Sequence, residues 1–103
     1  MTAFLKAKGV TAKRRAAKAR AKAARYRVVC RAVDARDGSA CRICGWGIWG
    51  NAHHHHIIMR SRGGTDTTDN LIRICAICHG DIHAHVLTVT GNADGHLQIE
   101  RIA

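Results

Sequence analysis

Proline is absent from the 103 residues, and the aromatic side chains amount to two Trp, one Tyr and one Phe. With so few rings no large aromatic core is available. No apolar run approaches the roughly 18 residues of a membrane-spanning helix, so no such helix is expected. The first ten residues lack the roughly 7–15-residue apolar stretch of a secretory signal. Acid is scarce too: Asp and Glu total 7 against 17 Lys and Arg, for a formal charge of +10. The scarcity is local. No acid precedes Asp34, whereas Lys6, Lys8, Lys13, Arg14, Arg15, Lys18, Arg20, Lys22, Arg25, Arg27 and Arg31 crowd the opening stretch, and the remainder is nearly neutral. A basic arm on a neutral body attracts polyanions, of which nucleic acid is the commonest. Lys13, Arg14, Arg15 and Lys18 are its candidate contacts. A solvated helix that only aids solubility and an Arg/Ala-rich transit peptide fit the same composition.

From Thr11 to Asp37 nearly every residue favours helix, with Ala, Lys and Arg dominant and neither Gly nor Pro present. Up to residue 25 the charges fall on all sides of the helical wheel, which suits an exposed helix or one ordered on a partner. Ala24, Val28, Val29, Ala32 and Val33 then recur on one face, and Gly38 is a candidate helix terminator. The expected division is therefore an arm at 1–24 and a folded body at 25–103. In the body, Trp46–Gly50 reads as a bent hairpin and Ala52–Met59 as a strand. Thr68 or Asp69 is a candidate cap for a helix whose first turns hold Asn70-Leu71-Ile72. Gly80–His85 reads as a short helical piece. Leu87-Thr88-Val89 and Leu97–Ile102 alternate around Gly91-Asn92-Ala93-Asp94-Gly95, the pattern of a closing hairpin.

A body this small buries only about 60–65% of its unfolded surface and needs a staple. Cys41/Cys44 and Cys75/Cys78 supply one: each Cys-x2-Cys pair sets two thiolates on one tight turn, half of a tetrahedral Zn²⁺ site. Two disulfides would require an oxidising compartment, and nothing in the sequence indicates secretion. Cys30 falls beside Val29 and Val33, and is expected to be an inert, partly buried thiol. His53–His56 form an internal tract that runs into Ile57-Ile58, unlike a terminal tag. His79 and His83, four apart, share one face of a helix and can share one cation.

His55-His56-Ile57-Ile58-Met59-Arg60-Ser61-Arg62-Gly63-Gly64-Thr65-Asp66, followed by Asp69-Asn70-Leu71-Ile72-Arg73-Ile74-Cys75-Ala76-Ile77-Cys78-His79 and His83, resembles the HNH endonucleases. More specifically it is similar to the phage-type, Cys-x2-Cys-bearing members of that ββα-metal superfamily. The likeness spans residues 28–85, with Arg36-Asp37-Gly38 leading into the first Cys pair and Met59 standing where such sequences often have Pro. The resemblance implies an α+β fold: a small ββα-metal domain stapled by a four-Cys zinc site, preceded by the basic helix and followed by the hairpin. It implies His56 as the general base that deprotonates water, and Asn70 as the residue that orients the loop around it. His55, His79 and His83 would be ligands of a catalytic divalent ion, with His53 or His54 as substitutes if the strand bulges.

Histidine suits that role, because its unperturbed pKa of about 6.5 lets it take a proton near neutrality. A His-only site suits Mg²⁺, Mn²⁺, Ni²⁺ or Zn²⁺, apart from the structural Zn²⁺. Arg60, Arg62 and Arg73 are candidate phosphate contacts. The expected function is metal-dependent hydrolysis of double-stranded DNA, in the cytoplasm of a bacterial or phage-infected cell, by a monomer or weak dimer without membrane contact. One site per chain would nick. The competing expectation is a non-catalytic, zinc-stapled DNA-binding module; a toxin nuclease would share the chemistry.

Overall fold

The computed structural model describes residues 2–102, with side chains from residue 11 onward; Met1, Ala103 and the side chains of residues 2–10, Lys6 and Lys8 among them, lie outside the described residues. The architecture is α+β. A long helix, α1 (Thr2–Asp37), precedes strands β1 (His53–His56) and β2 (Leu71–Ile74), helix α2 (Ala76–His83), and strands β3 (Leu87–Gly91) and β4 (Leu97–Arg101). β1 pairs antiparallel with β2, and β3 with β4, in two separate two-stranded sheets. Among the described residues no helix is long and apolar enough to cross a membrane.

From Thr11 onward α1 meets neither Gly nor Pro, and it stops where expected: Gly38 takes a φ of 70° and donates its N–H to the Asp34 carbonyl at 2.8 Å. Its packed face differs from the expected one. Val28 is 60% exposed and Ala24 and Ala32 also face outward, while Tyr26, Val29, Cys30, Val33, Asp34 and Asp37 turn inward. Val29 and Val33 belong to the expected face, and Val33 is fully buried; the polar members of the packed face meet His54 and the arginines around Asp37.

Thr68–Asn70 form a single 3₁₀ turn rather than the start of a helix, and Leu71–Ile74 continue as β2. Leu71, Ile72 and Ile74 are all fully buried, so this strand is covered on both faces. β1 is also shorter than the 52–59 strand expected, because beyond Ile57 the backbone is taken over by the Asn70 side chain. The expected Trp46–Gly50 hairpin reduces to one bridge, Ala40 to Gly47, beside a turn closed by Gly45 N–H to Cys41 O at 2.9 Å. The closing hairpin is present, with all five pairs from Leu87–Arg101 to Gly91–Leu97 in register.

One core joins these pieces: Cys41, Ile48, Ile72, Ile74, Cys78, Leu87, Val89 and Ala93 are buried together. Two Cys side chains thus belong to the core itself. A polar clasp ties α1 to it. Asp37, with its side chain only 1% exposed, accepts from Arg36 at 2.7 Å, Arg42 at 2.6 Å and the Arg73 N–H at 3.0 Å. Burial alone would raise its carboxyl, but hydrogen bonds from Arg36, the Arg73 N–H and Arg42 hold it below the ordinary carboxylate value. Arg36 reaches further, donating to the carbonyls of Thr68 at 2.6 Å and Leu71 at 2.5 Å and to Asp94 at 2.8 Å.

Candidate functional site

The four cysteines of the two pairs converge. Their sulfurs lie within 4.8 Å of one another, with Cys44 and Cys75 Sγ 3.8 Å apart. Cys75 also opens α2, its sulfur accepting the Cys78 N–H at 3.4 Å, so the second pair is built into a helix start. Burial would raise the Cys41 thiol, but backbone hydrogen bonds involving Cys44, Cys75 and Ile43 bring it down to about 7. Four soft donors without a competing carboxylate fit a closed, tetrahedral Zn²⁺. The fifth thiol, Cys30, lies elsewhere, partly buried on α1 beside Tyr26, and burial raises its pKa.

β1 is four consecutive histidines, and strand geometry deals them alternately to two sides. His53 and His55 face α2. His53 stacks on His79 with ring centroids 4.4 Å apart, and His55 meets His79 and His83 edge-on at 5.9 and 6.5 Å. His79 and His83, one turn apart on α2, bring their Nε2 atoms to 3.0 Å. His55 is buried, and that burial, reinforced by the neighbouring His79, His83 and His56, lowers its pKa to about 4. His79 is lowered too, by burial and then by His53 and His83. A neutral imidazole keeps a lone pair, so His55 and His79 carry nitrogen donors of the kind a divalent transition-metal ion takes.

His54 and His56 face the other way, toward α1 and the β1–β2 loop. Each meets a carboxylate: His54 Nε2 lies 2.6 Å from Asp34, and His56 Nε2 lies 2.7 Å from Asp66. Asp34 is shared with Arg73 Nε at 3.4 Å, and Asp66 with Arg60 Nε at 2.9 Å. Tyr26 of α1 lies nearly parallel to His56 with centroids 6.2 Å apart, and the Arg60 guanidinium sits 4.8 Å from its ring centroid. Asp34, Asp66 and Tyr26 were not singled out by sequence reasoning. The one available signal was strand alternation, which requires His54 and His56 to find polar partners opposite those of His53 and His55.

The loop between β1 and β2 is pinned by Asn70, which is 94% buried. Its Oδ1 accepts the Ile58 N–H at 2.8 Å, while Nδ2 donates to the carbonyls of Ile58 and Thr65, each at 3.0 Å. One amide thus ties together three backbone groups of the loop. Gly64 allows the loop to close, since a Cβ there would collide with the Ile58 carbonyl.

A cleft of about 220 Å³ opens between strand, loop and helix, lined by His54, His55, His56, Met59, Arg60, Ser61, His79 and His83. Of the expected site residues it gathers His55, His56, His79, His83 and Arg60, with Asn70 behind its loop wall. Arg62 is exposed on the adjoining loop. Arg73 points elsewhere: it donates to Gly38 O at 2.7 Å and Ile48 O at 3.1 Å and is only 13% exposed, so it braces the fold instead of reaching into the cleft. Lys13, Arg14, Arg15 and Lys18 are exposed along α1, away from the cleft lining.

Comparison with known proteins falls on this same segment. The HNH endonuclease family model matches residues 41–85, from the first cysteine of the knuckle to just past α2. A 29-residue stretch is 52% identical to the type IV methyl-directed restriction enzyme EcoKMcrA of Escherichia coli (strain K12), covering 28% of this chain and 10% of that enzyme. A 49-residue stretch is 33% identical to anaredoxin of a Nostoc species, covering 48% of this chain and 63% of anaredoxin. The chain thus spans less than two thirds of either relative. Knuckle, histidine strand, Asn-pinned loop and His-bearing helix all lie within residues 41–85, the interval that matches the HNH endonuclease family model.

Proposed function

We propose that this protein is a metal-dependent HNH endonuclease that hydrolyses phosphodiester bonds of double-stranded DNA and nicks as a monomer or weak dimer. The observation that carries the reading is the cleft in which His55, His79 and His83 line one side and His56 stands on the same strand, one residue on. His55, His79 and His83 would hold the catalytic ion, Mg²⁺, Mn²⁺, Ni²⁺ or Zn²⁺, and Cys41, Cys44, Cys75 and Cys78 a separate structural Zn²⁺. A divalent ion bound there would stabilise negative charge on the phosphoryl and leaving 3′ oxygens. His56 takes the proton of the attacking water. Asn70 keeps the loop, and with it the approach to His56, in one arrangement. Arg60 and Arg62 are the loop cations nearest the cleft and serve as phosphate contacts, while residues 1–24 act as an electrostatic arm on the 25–103 nuclease body, with Lys13, Arg14, Arg15 and Lys18 on DNA phosphates. The cytoplasm of a bacterial or phage-infected cell is the proposed setting.

Supercoiled-plasmid relaxation tests the reading. Purified protein is incubated with Mg²⁺, Mn²⁺, Ni²⁺, Zn²⁺ or EDTA, beside His56→Ala. Metal-dependent nicking that the variant loses by about 10²–10⁴-fold is the expected result. Plasmid left intact under every metal, with a gel shift still visible, would replace the nuclease by a zinc-stapled DNA-binding module.

A further inference from the structure

His56 is held on three sides by groups that nothing in the family match assigns. Its Nε2 lies 2.7 Å from Asp66 Oδ1. The same oxygen accepts from Arg60 Nε at 2.9 Å, and the Arg60 guanidinium is in turn seated 4.8 Å from the Tyr26 ring centroid. Tyr26 runs parallel to the imidazole at 8°. Asp66 cannot drift, because the carbonyl of Thr65, next to it, accepts from Asn70. Hydrogen bonds from Arg60 and His56 hold the Asp66 carboxyl below its ordinary value, so it is anionic at neutral pH. The His56 side chain is 13% exposed and that of Asp66 21%, so solvent competes only weakly for the contact.

An ionised carboxylate has no proton to give. Across a 2.7 Å contact the imidazole must therefore be the donor, and in a neutral ring the nitrogen left bare is the other one. We propose that Asp66 is the positioning residue for His56: it accepts the Nε2 proton, fixes the ring's rotation, and leaves the Nδ1 lone pair as the base that meets the attacking water. The proposal rests on the nuclease reading above. In the step it serves, the water proton passes to Nδ1 and the water oxygen bonds phosphorus. The P–O3′ bond breaks with its electron pair leaving on O3′, which takes a proton from solvent; His56 later returns its proton to solvent. Arg60 and Tyr26 keep Asp66 aimed, so α1 contributes to the chemistry through Tyr26 without touching the substrate.

The same geometry explains why His54, which meets Asp34 at 2.6 Å, is not an equivalent base. Asp34 also bridges to Arg73, which is tied into the fold at Gly38 and Ile48, so that pair clamps α1 to β1. Asp66 belongs to the loop that borders the cleft.

Two measurements decide the proposal. Nitrogen-15 imidazole correlation spectra of the zinc-loaded wild-type protein should show His56 protonated at Nε2 and bare at Nδ1. Asp66→Ala should give a mixture of tautomers and lower kcat for plasmid nicking by about tenfold to a hundredfold, a part of what a general base supplies. KM should not rise, and zinc content and thermal midpoint should stay near wild type. Asp66→Glu, which restores an acceptor, should recover part of the lost kcat. Unchanged kcat in Asp66→Ala, or a proton on Nδ1 in the wild-type spectrum, overturns the proposal. Should Asp66→Ala fail to fold, the wild-type spectrum and the Asp66→Glu rate still decide it. Absence of wild-type nicking with every metal would defeat the nuclease reading instead, and the spectrum separates the two failures.

Discussion

The molecule gathers cysteines at one place and histidines at another, and the two clusters are built on opposite plans. The four cysteines converge to within 4.8 Å, and two of them, Cys41 and Cys78, are core residues packed with Ile48, Ile72 and Ile74. The histidines instead line an open cleft. His79 and His83 approach at Nε2, but His53 lies flat on His79 and His55 meets the pair edge-on. A site closed by four ligands and woven into the core leaves no position for a substrate and contributes folding free energy directly. The proposed histidine site on the rim, drawing on one strand and one helix, would leave positions open. One element, α2, carries members of both clusters, with Cys75 at its cap and Cys78, His79 and His83 along it, so the knuckle also fixes the helix that carries His79 and His83.

The contrast can be broken or sharpened by substitutions ranked by their effect on stability. Cys41→Ser should be the most severe: losing a zinc ligand from a core this small should leave no cooperative unfolding transition, and equimolar zinc should no longer be retained. A normal melting curve with bound zinc would put the knuckle outside the core. Asp37→Asn should cost about 3–5 kcal/mol, because Arg36 and Arg42 lose a buried counter-charge. Its pH dependence has a definite sign. The Asp37 carboxyl titrates below its ordinary value when folded, so its contribution is complete above the unfolded pKa of about 4 and fades as pH falls through the folded value. The stability difference between wild type and Asp37→Asn should therefore be level above about pH 4 and shrink below it, as chemical denaturation at stepped pH would show.

His83→Ala, at an exposed position, should change stability by no more than about 0.5 kcal/mol. It should nevertheless weaken uptake of a second, exchangeable ion in calorimetry while the tightly held zinc stays at one per chain. Loss of both ions together would mean the two sites are not separable. Cys30→Ser should be the mildest, within about 1 kcal/mol by denaturant melt and with zinc stoichiometry intact, since its thiol is remote from the other four.

Spacing made much of this visible in advance, where chemistry alone dictates spacing. Two Cys-x2-Cys pairs offer the four donors of one zinc site and do converge, and His79 and His83, four apart on a helix, share a face whatever surrounds them. The closing hairpin was readable because alternation and a Gly/Asn/Asp turn agree. What escaped depended on tertiary partners. Thr68 and Asp69 have helix-capping chemistry, yet one 3₁₀ turn satisfies it, and the burial of Leu71 and Ile72 between layers decides for a strand. Of the apolar face expected on α1, Val29 and Val33 turn inward while Ala24, Val28 and Ala32 face solvent, because polar residues complete the packed face. A rule that looks for oily stripes passes over Tyr26, Asp34 and Asp37. Asp66 was hidden for a similar reason, since a loop carboxylate acquires meaning only when the fold sets a ring beside it.

The histidine strand has a further consequence. Its four residues are the same letter, so side-chain identity does nothing to tell one alignment with β2 from the next. Alignment is kept by neighbours that are not histidines: Ile57 bonded to the Asn70 carbonyl at one end, and the Arg73 and Asp34 contact along one flank. Adding or deleting one histidine would leave the composition almost untouched and the inner strand positions still filled by histidine, yet it would carry Ala52 or Ile57 to the opposite side of the strand. The tract is thus a message written in one symbol, with its reading frame stored outside it, and single-residue insertions there should be far more damaging than any replacement of one histidine.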